Sequence, residues 1–189
     1  ASELVVASYR DSFLAEQGVA VASARAGNVI GGGDWAADRL IPDAGRAWQS
    51  GGVVEIRRPE AIRPWQHVLE PLSAYLALAR RLWSQPECVG AYNFGPRTSE
   101  AATVREVIEL ARTAYGTGVA RYASEIIGPH EAGWLALEIA KARTVLAVNP
   151  KWSLSEAVCR TMTWYRARAE GADARALCLA DIAAFEAAT

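Results

Sequence analysis

The chain has 189 residues, 51% of them apolar, and a formal net charge of -1. That length supports one good core, or one core with a small appendage. The near-neutral charge argues against nucleic acid as the main partner, and no apolar run approaches the length of a membrane span.

In chain order, residues 1–17 read as an amphipathic helix with an apolar stripe of Leu4, Val5, Tyr9, Phe13 and Leu14, closed by Gly18. The sequence has no initiating methionine and opens within this helical pattern, which points to a piece of a longer protein. The β-branched run Val19 to Ala24 predicts a strand buried on both faces. A helix feeding such a strand is half of a β-α-β crossover. The next stretch, Ser23 to Pro42, carries glycines at 27, 31, 32 and 33 among Asn28, Asp34, Trp35 and Arg39. In open α/β sheets ligands bind beyond the carboxyl ends of the strands, so this exit is a candidate site or a plain flexible loop.

Leu40 to Gln49 predicts a short helix with Pro42 in its first turn and Gly51-Gly52 closing it. Val53 to Ile56 predicts a strand. Arg57 to Pro64 is a polar loop, and Trp65 to Val68 resumes extended structure. A helix with Pro71 in its first turn runs to about Ser84, and Ala91 to Phe94 is another strand. Thr103-Val-Arg-Glu106 is a capping box opening a helix that stops at Gly116. Tyr122 and its neighbours suggest one more strand, and Ile139 to Leu146 a helix. Ser153-Leu-Ser-Glu156 is a second capping box, for a helix through Arg168; a last helix spans Ala174 to Ala187. Strands alternate with helices to about residue 125 and helices dominate afterwards. The expected fold class is α/β: the C-terminal part of a doubly wound Rossmann-type domain, merged with a small mixed α/β subdomain.

Several side chains could carry chemistry. Arg57, Arg58 and Arg63 sit in a proline-stiffened loop, and a guanidinium grips a diphosphate bidentately; a solvated basic loop is the plain alternative. Asn28 and Asn93 each lie at a strand end, where an amide reaches a phosphate or simply serves a turn. His130-Glu131 could orient a ribose or a base, or form an exposed pair. Trp35 could stack on a base or cover the core edge. With only His67 and His130 present, no metal site is expected. Cys88, Cys159 and Cys178 are widely spaced and form no metal or redox motif, which fits a reducing, cytoplasmic setting. There is no G-x-G-x-x-G fingerprint, no Tyr-x-x-x-Lys pair and no nucleophile–base set.

Taken together, A-S-E-L-V-V-A-S-Y-R at 1–10, R-A-G-N-V-I-G-G-G-D-W at 25–35, D-R-L-I-P at 38–42, R-P-W-Q-H-V-L-E-P-L at 63–72, Y-N-F-G-P at 92–96 and H-E-A at 130–132 resemble one family. It is the extended short-chain dehydrogenase/reductase family of NAD-dependent nucleotide-sugar dehydratases and epimerases, in its C-terminal half. The phrasing at 31–35 and 63–72 is similar to the CDP-glucose branch. The resemblance implies conversion of CDP-glucose to CDP-4-keto-6-deoxyglucose with transient reduction of NAD. It implies that Asn28 and Arg63 hold the diphosphate of the CDP-sugar, that Arg39 and Leu40 lie along the nucleotide, and that Asn93 sits near the phosphates. It also places His130 and Glu131 near the ribose or base, and the backbone of Ala26 and Gly27 near the nicotinamide.

Helix 1–17 would build a homodimer. Residues 1–52 would be the tail of the NAD-binding domain, interleaved with a substrate-binding subdomain in 53–189. The family's NAD turn and catalytic residues are expected upstream, so no catalytic residue is assigned here and turnover by this chain alone is not expected. Another epimerase or decarboxylase of the family, or a non-catalytic binding or dimerisation module, stays open.

Overall fold

The computed structural model describes residues 1–124 and 132–188. Its strands form four two-stranded pairings. Strand β1 (Ala22–Ala26) runs parallel to β6 (Gly90–Phe94), and β2 (Asn28–Ile30) parallel to β5 (Trp65–His67). Strand β3 (Val53–Ile56) runs parallel to β8 (Val119–Tyr122), while β4 (Ile62–Arg63) and β7 (Ala102–Thr103) pair antiparallel. Parallel pairs need crossovers, and helices supply them. The connections between the paired strands contain α2 (Leu40–Gln49), α3 (Leu69–Ser84) and α4 (Val104–Tyr115), while α1 (Ser2–Tyr9, continued by a wider turn over Arg10–Leu14) precedes β1 and α5 (Ala140–Leu146), α6 (Leu154–Ala169) and α7 (Ala174–Ala187) follow β8.

The apolar residues gather into two clusters. The larger joins Ile30, Ile41, Trp48 and Val54 to Val107, Ile108 and Ala111 of α4 and to Val158, Met162, Trp164 and Tyr165 of α6. The smaller joins Ala74 and Leu78 of α3 to Tyr92 and Phe94 of β6 and to Ala142 and Leu146 of α5. The candidate cleft described below lies on the side of the larger cluster.

Helix ends follow the local chemistry. Thr103 Oγ1 accepts from the Glu106 N–H while the Glu106 carboxylate accepts from the Thr103 N–H at 2.7 Å, a complete capping box. At α6 only half of the expected box forms. Ser153 accepts from the Glu156 N–H at 3.2 Å, but the Glu156 carboxylate turns to Arg160 at 2.5 Å. A charge-assisted bond one helical turn away outcompetes a neutral backbone donor.

At the start of the chain the helix keeps its stripe exposed, and the expectation for β1 fails. The stripe on α1 is present in sequence, yet Leu4 is 77% exposed and no residue of the helix is buried, because no described element lies over it. Strand β1 begins three residues later than expected and is not buried on both faces. Its Ala24 and Arg25 are exposed, since β6 is its one strand partner among the described residues. A groove of about 630 Å³ between α1 and β1 lies along this side, where Arg25 pairs with Glu3.

A buried polar hub holds α6 in place. The Glu70 carboxylate accepts from the N–H groups of Lys151 at 2.9 Å and Trp152 at 2.8 Å, just ahead of the helix. Trp152 is contacted edge-on by His67 and Phe185, with ring centroids at 4.8 and 5.0 Å. His67 is fully buried, and its Nδ1 accepts from the Leu69 N–H at 3.3 Å.

Burial, with a smaller contribution from the Arg160 guanidinium, pulls the His67 imidazole from 6.5 down to about 4. Between those values the folded chain binds fewer protons than the unfolded one, so stability falls as pH drops through that window. The shift corresponds to about 3 kcal/mol. Burial raises Glu70, whose contribution is lost in the opposite direction, as pH rises. Urea midpoints of wild type and His67→Gln at pH 7 and pH 4.5 isolate the histidine. The difference between the two proteins should shift in favour of His67→Gln at the lower pH; a constant difference would refute the assignment.

Candidate nucleotide-sugar cleft

Two adjoining hollows of about 360 and 170 Å³ open beyond the β2–β5 pair. They share Asn28, Asp38, Leu40 and Trp65 and so form one cleft. Asn28 begins β2 and is fixed by its backbone, whose N–H donates to the Pro64 carbonyl at 2.8 Å. Arg39 is the N-cap residue of α2 and Leu40 its first helical residue. Arg57, Arg58 and Arg63 line the larger hollow with Val54, Ile56 and Ala61. Asn28, Arg39, Leu40 and Arg63 are therefore brought together.

The arginine loop is held by more than its prolines. The β4–β7 pair fastens it, and the N–H groups of Val104 and Arg105 donate to the carbonyls of Ala61 at 3.0 Å and Pro59 at 2.9 Å. Arg105 also pairs with Glu60 at 2.8 Å. On the other side of β4, the Ile62 N–H donates to the Gly133 carbonyl and the Leu135 N–H to the Ile62 carbonyl. His130 and Glu131 lie outside the described residues.

Asn93 sits apart from this cleft. Its Oδ1 accepts from Arg25 at 3.3 Å and its Nδ2 donates to the Glu138 carbonyl at 3.0 Å. It borders a small hollow with Gln66, Glu70 and Gly95.

The glycines have structural reasons of their own. A Cβ on Gly27 would lie 2.4 Å from the Pro64 carbonyl oxygen, and one on Gly31 2.6 Å from Val68. A Cβ on Gly32 would lie 2.2 Å from the Trp164 indole. The loop from 31 to 39 is clamped onto two helices through these contacts. The Tyr165 hydroxyl donates to the Asp34 carbonyl, and Arg46 donates to the carbonyls of Trp35 at 2.8 Å and Ala36 at 3.1 Å. Trp35 stands edge-on to Tyr165 at 5.2 Å, so its ring covers the core edge.

Chemically, the cleft offers guanidinium groups and an amide facing apolar walls, a donor set suited to a phosphorylated ligand. Among the described lining residues no nucleophile meets a general base. Sequence reasoning passed over Asp38, Trp65 and the β3 wall. Asp38 lay inside a quoted motif, but its left-handed backbone, φ +60°, leaves no mark in composition.

No protein-family model matches the chain. The CDP-glucose 4,6-dehydratase of Salmonella typhimurium is 43% identical over 178 residues, 91% of this chain and 50% of that protein. The chain is similar to half of a nucleotide-sugar dehydratase. It spans about half the length of the curated relative it matches.

Solved structures agree on the fold. MoeE5 in complex with UDP-glucuronic acid and NAD superposes with a TM-score of 0.66 at 24% identity, over 79% of this chain and 48% of that one. The Bacillus cereus UDP-glucuronic acid 4-epimerase gives 0.72 at 16% identity, over 88% and 50%. The dTDP-glucose 4,6-dehydratase of Bacillus anthracis gives 0.68 at 17%, over 89% and 50%. The mixed α/β fold with parallel pairs is that of the C-terminal part of Rossmann-type short-chain dehydratases and epimerases, as the motifs predicted.

Gly32→Ala tests the clamp on the loop. The added methyl must displace the Trp164 ring, and overpacking of this kind costs about 1–3 kcal/mol. Gly51→Ala is the comparison, because nothing lies within 4 Å of its Cβ and only the φ of +70° is strained. Urea denaturation should show the larger loss for Gly32→Ala, with faster hydrogen exchange in 33–38; equal losses would show that the indole moves aside freely.

Proposed function

We propose that the chain forms the substrate-binding wall of an NAD-dependent dehydratase that converts CDP-glucose to CDP-4-keto-6-deoxyglucose. The observation that carries this reading is the 43% identity over 91% of the chain to a CDP-glucose 4,6-dehydratase. The cleft supports it, since its arginines and amide suit a diphosphate.

In this reading Asn28 and Arg63 grip the diphosphate. The fork of Arg63 gives bidentate contact, and the backbone bonds that fasten its loop reduce the entropy lost on binding. Arg39 and Leu40 run along the nucleotide. Asn93 contributes at the phosphates only by exchanging its bonds to Arg25 and Glu138. His130 and Glu131 take the ribose or base.

NAD fits this chain only at its border. Protein atoms fill the space beside Gly27, Gly31 and Gly32, so the glycines make no dinucleotide cradle. The cofactor, which supplies transient hydride acceptance, belongs to the remainder of the whole protein, with Ala26 and Gly27 at its edge. Residues 1–52 are then the tail of the NAD-binding domain, and 53–189 mainly the substrate subdomain. The exposed stripe of α1, where the Tyr9 and Phe13 rings lie 4.8 Å apart, provides the homodimer surface. No helix among the described residues is long and apolar enough to cross a membrane.

Calorimetric titration of the chain with CDP-glucose, UDP-glucose and dTDP-glucose tests the assignment. CDP-glucose should bind tightest, and Arg63→Ala should weaken it by about tenfold or more. A preference for UDP- or dTDP-glucose would overturn the CDP assignment. The whole protein, and not this chain alone, should convert CDP-glucose to a 4-keto sugar nucleotide detectable by its absorbance in alkali.

A further inference from the structure

We propose that Asp38 selects the base of the nucleotide: its carboxylate accepts a hydrogen bond from the exocyclic amine of cytosine and disfavours uracil, which carries a carbonyl there. This inference rests on the nucleotide-sugar reading of the cleft.

Asp38 borders both hollows, together with Asn28, Leu40 and Trp65. Its backbone has φ +60°, a region that non-glycine residues rarely adopt. Among the described non-glycine residues only Ala147 shares it, and that residue closes α5. Asp38 closes no helix. Aspartate tolerates this backbone better than most residues, so the path of the loop permits a carboxylate here without requiring one.

The carboxylate is also uncommitted. The other acids of the cleft are engaged, Asp43 with Arg46, Glu55 with Arg121 and Asp34 with the Ala36 N–H. Asp38 makes no hydrogen bond or ion pair among the described residues, although the cleft is lined by arginines.

Charge then decides what it can face. A carboxylate is acceptor-only and repels a diphosphate, so it must meet a donor on an uncharged part of the ligand. Leu40, Val54, Ile56 and Trp65 give the same cleft an apolar lining suited to a planar base. At the edge of that base, cytosine presents an amine and uracil an oxygen. Acceptance from the cytosine amine is the contact by which Asp and Glu read this base. Against uracil the carboxylate would meet another acceptor, with no proton between them.

The test is titration of the chain with CDP and UDP, as wild type, Asp38→Asn and Glu87→Gln, the last an exposed acid away from the cleft. Asparagine tolerates the left-handed backbone as well as aspartate does, so Asp38→Asn should keep its fold. Its amide can present either a donor or an acceptor. Wild type should prefer CDP, and Asp38→Asn should lower the CDP-over-UDP ratio by about tenfold, mainly through weaker CDP binding. Glu87→Gln should keep the wild-type ratio.

Equal weakening of CDP and UDP by Asp38→Asn would assign the carboxylate to a ribose hydroxyl and overturn the proposal. So would an unchanged ratio in Asp38→Asn, a ratio that collapses in Glu87→Gln, or a wild type that binds both nucleotides without preference. A wild type that binds neither overturns the nucleotide-sugar reading itself, and the Asp38 assignment with it.

Discussion

The contact between the Trp164 indole and the backbone at Gly32 is the constraint on which the cleft depends. Residue 32 has no side chain, and the ring of α6 occupies the space one would take. Tyr165, the next residue, uses its hydroxyl to hold the Asp34 carbonyl and its ring to carry Trp35. Residues 31–39 are therefore laid onto α6 rather than left to solvent. Asp38 and Arg39 take their positions from that support, as does the start of α2, where Gly45 lies against Tyr165. A segment whose glycine content suggests freedom is one of the more firmly held parts of the molecule.

The position of α6 is set in turn by polar groups inside the protein. Glu70 gives one carboxylate oxygen to two backbone N–H groups that precede the helix and would otherwise be unpaired. Burying a carboxylate is costly, and these bonds offset the cost. His67, three residues earlier, packs its ring on Trp152 and remains neutral at physiological pH. Both side chains come from the segment that also supplies Arg63 and Trp65. One short stretch, residues 63–70, thus lines the cleft and anchors the helix that supports its opposite wall.

What could be read from sequence follows how local the deciding physics is. The bounds of α2, β3 and α7 were legible because caps, glycines and prolines next to them set where they begin and end. The box at Thr103 and Glu106 was legible for the same reason, whereas that at Ser153 was half wrong because Arg160 competes for Glu156. Strands β4 and β7 were not legible. Two residues carry no periodicity, and their pairing joins segments about forty residues apart. Among candidate side chains, Asn28, Arg39, Leu40 and Arg63 gather in one cleft, while Asn93 is already engaged by Arg25 and Glu138. The glycine run was visible as a motif, but its partner Trp164 lies more than a hundred residues away.

The same distinction explains why this part of the fold reads as a binding surface rather than a reaction centre. Its polar groups fall into two sets. Glu70 and the Tyr165 hydroxyl are spent on backbone groups, and Glu55 and Asp43 on arginines, so they hold the walls and cannot exchange protons with a ligand without loosening them. Lining the cleft are guanidiniums, one amide and one unpaired carboxylate, groups that recognise charge and hydrogen-bond direction. General acid–base chemistry needs a titratable group within hydrogen-bond reach of a reacting atom. His67 would be the natural choice by residue type, but it is buried against Trp152, with its Nδ1 on the Leu69 N–H. In the proposed reading the described residues of the cleft serve recognition, and proton and hydride transfer come from groups facing it.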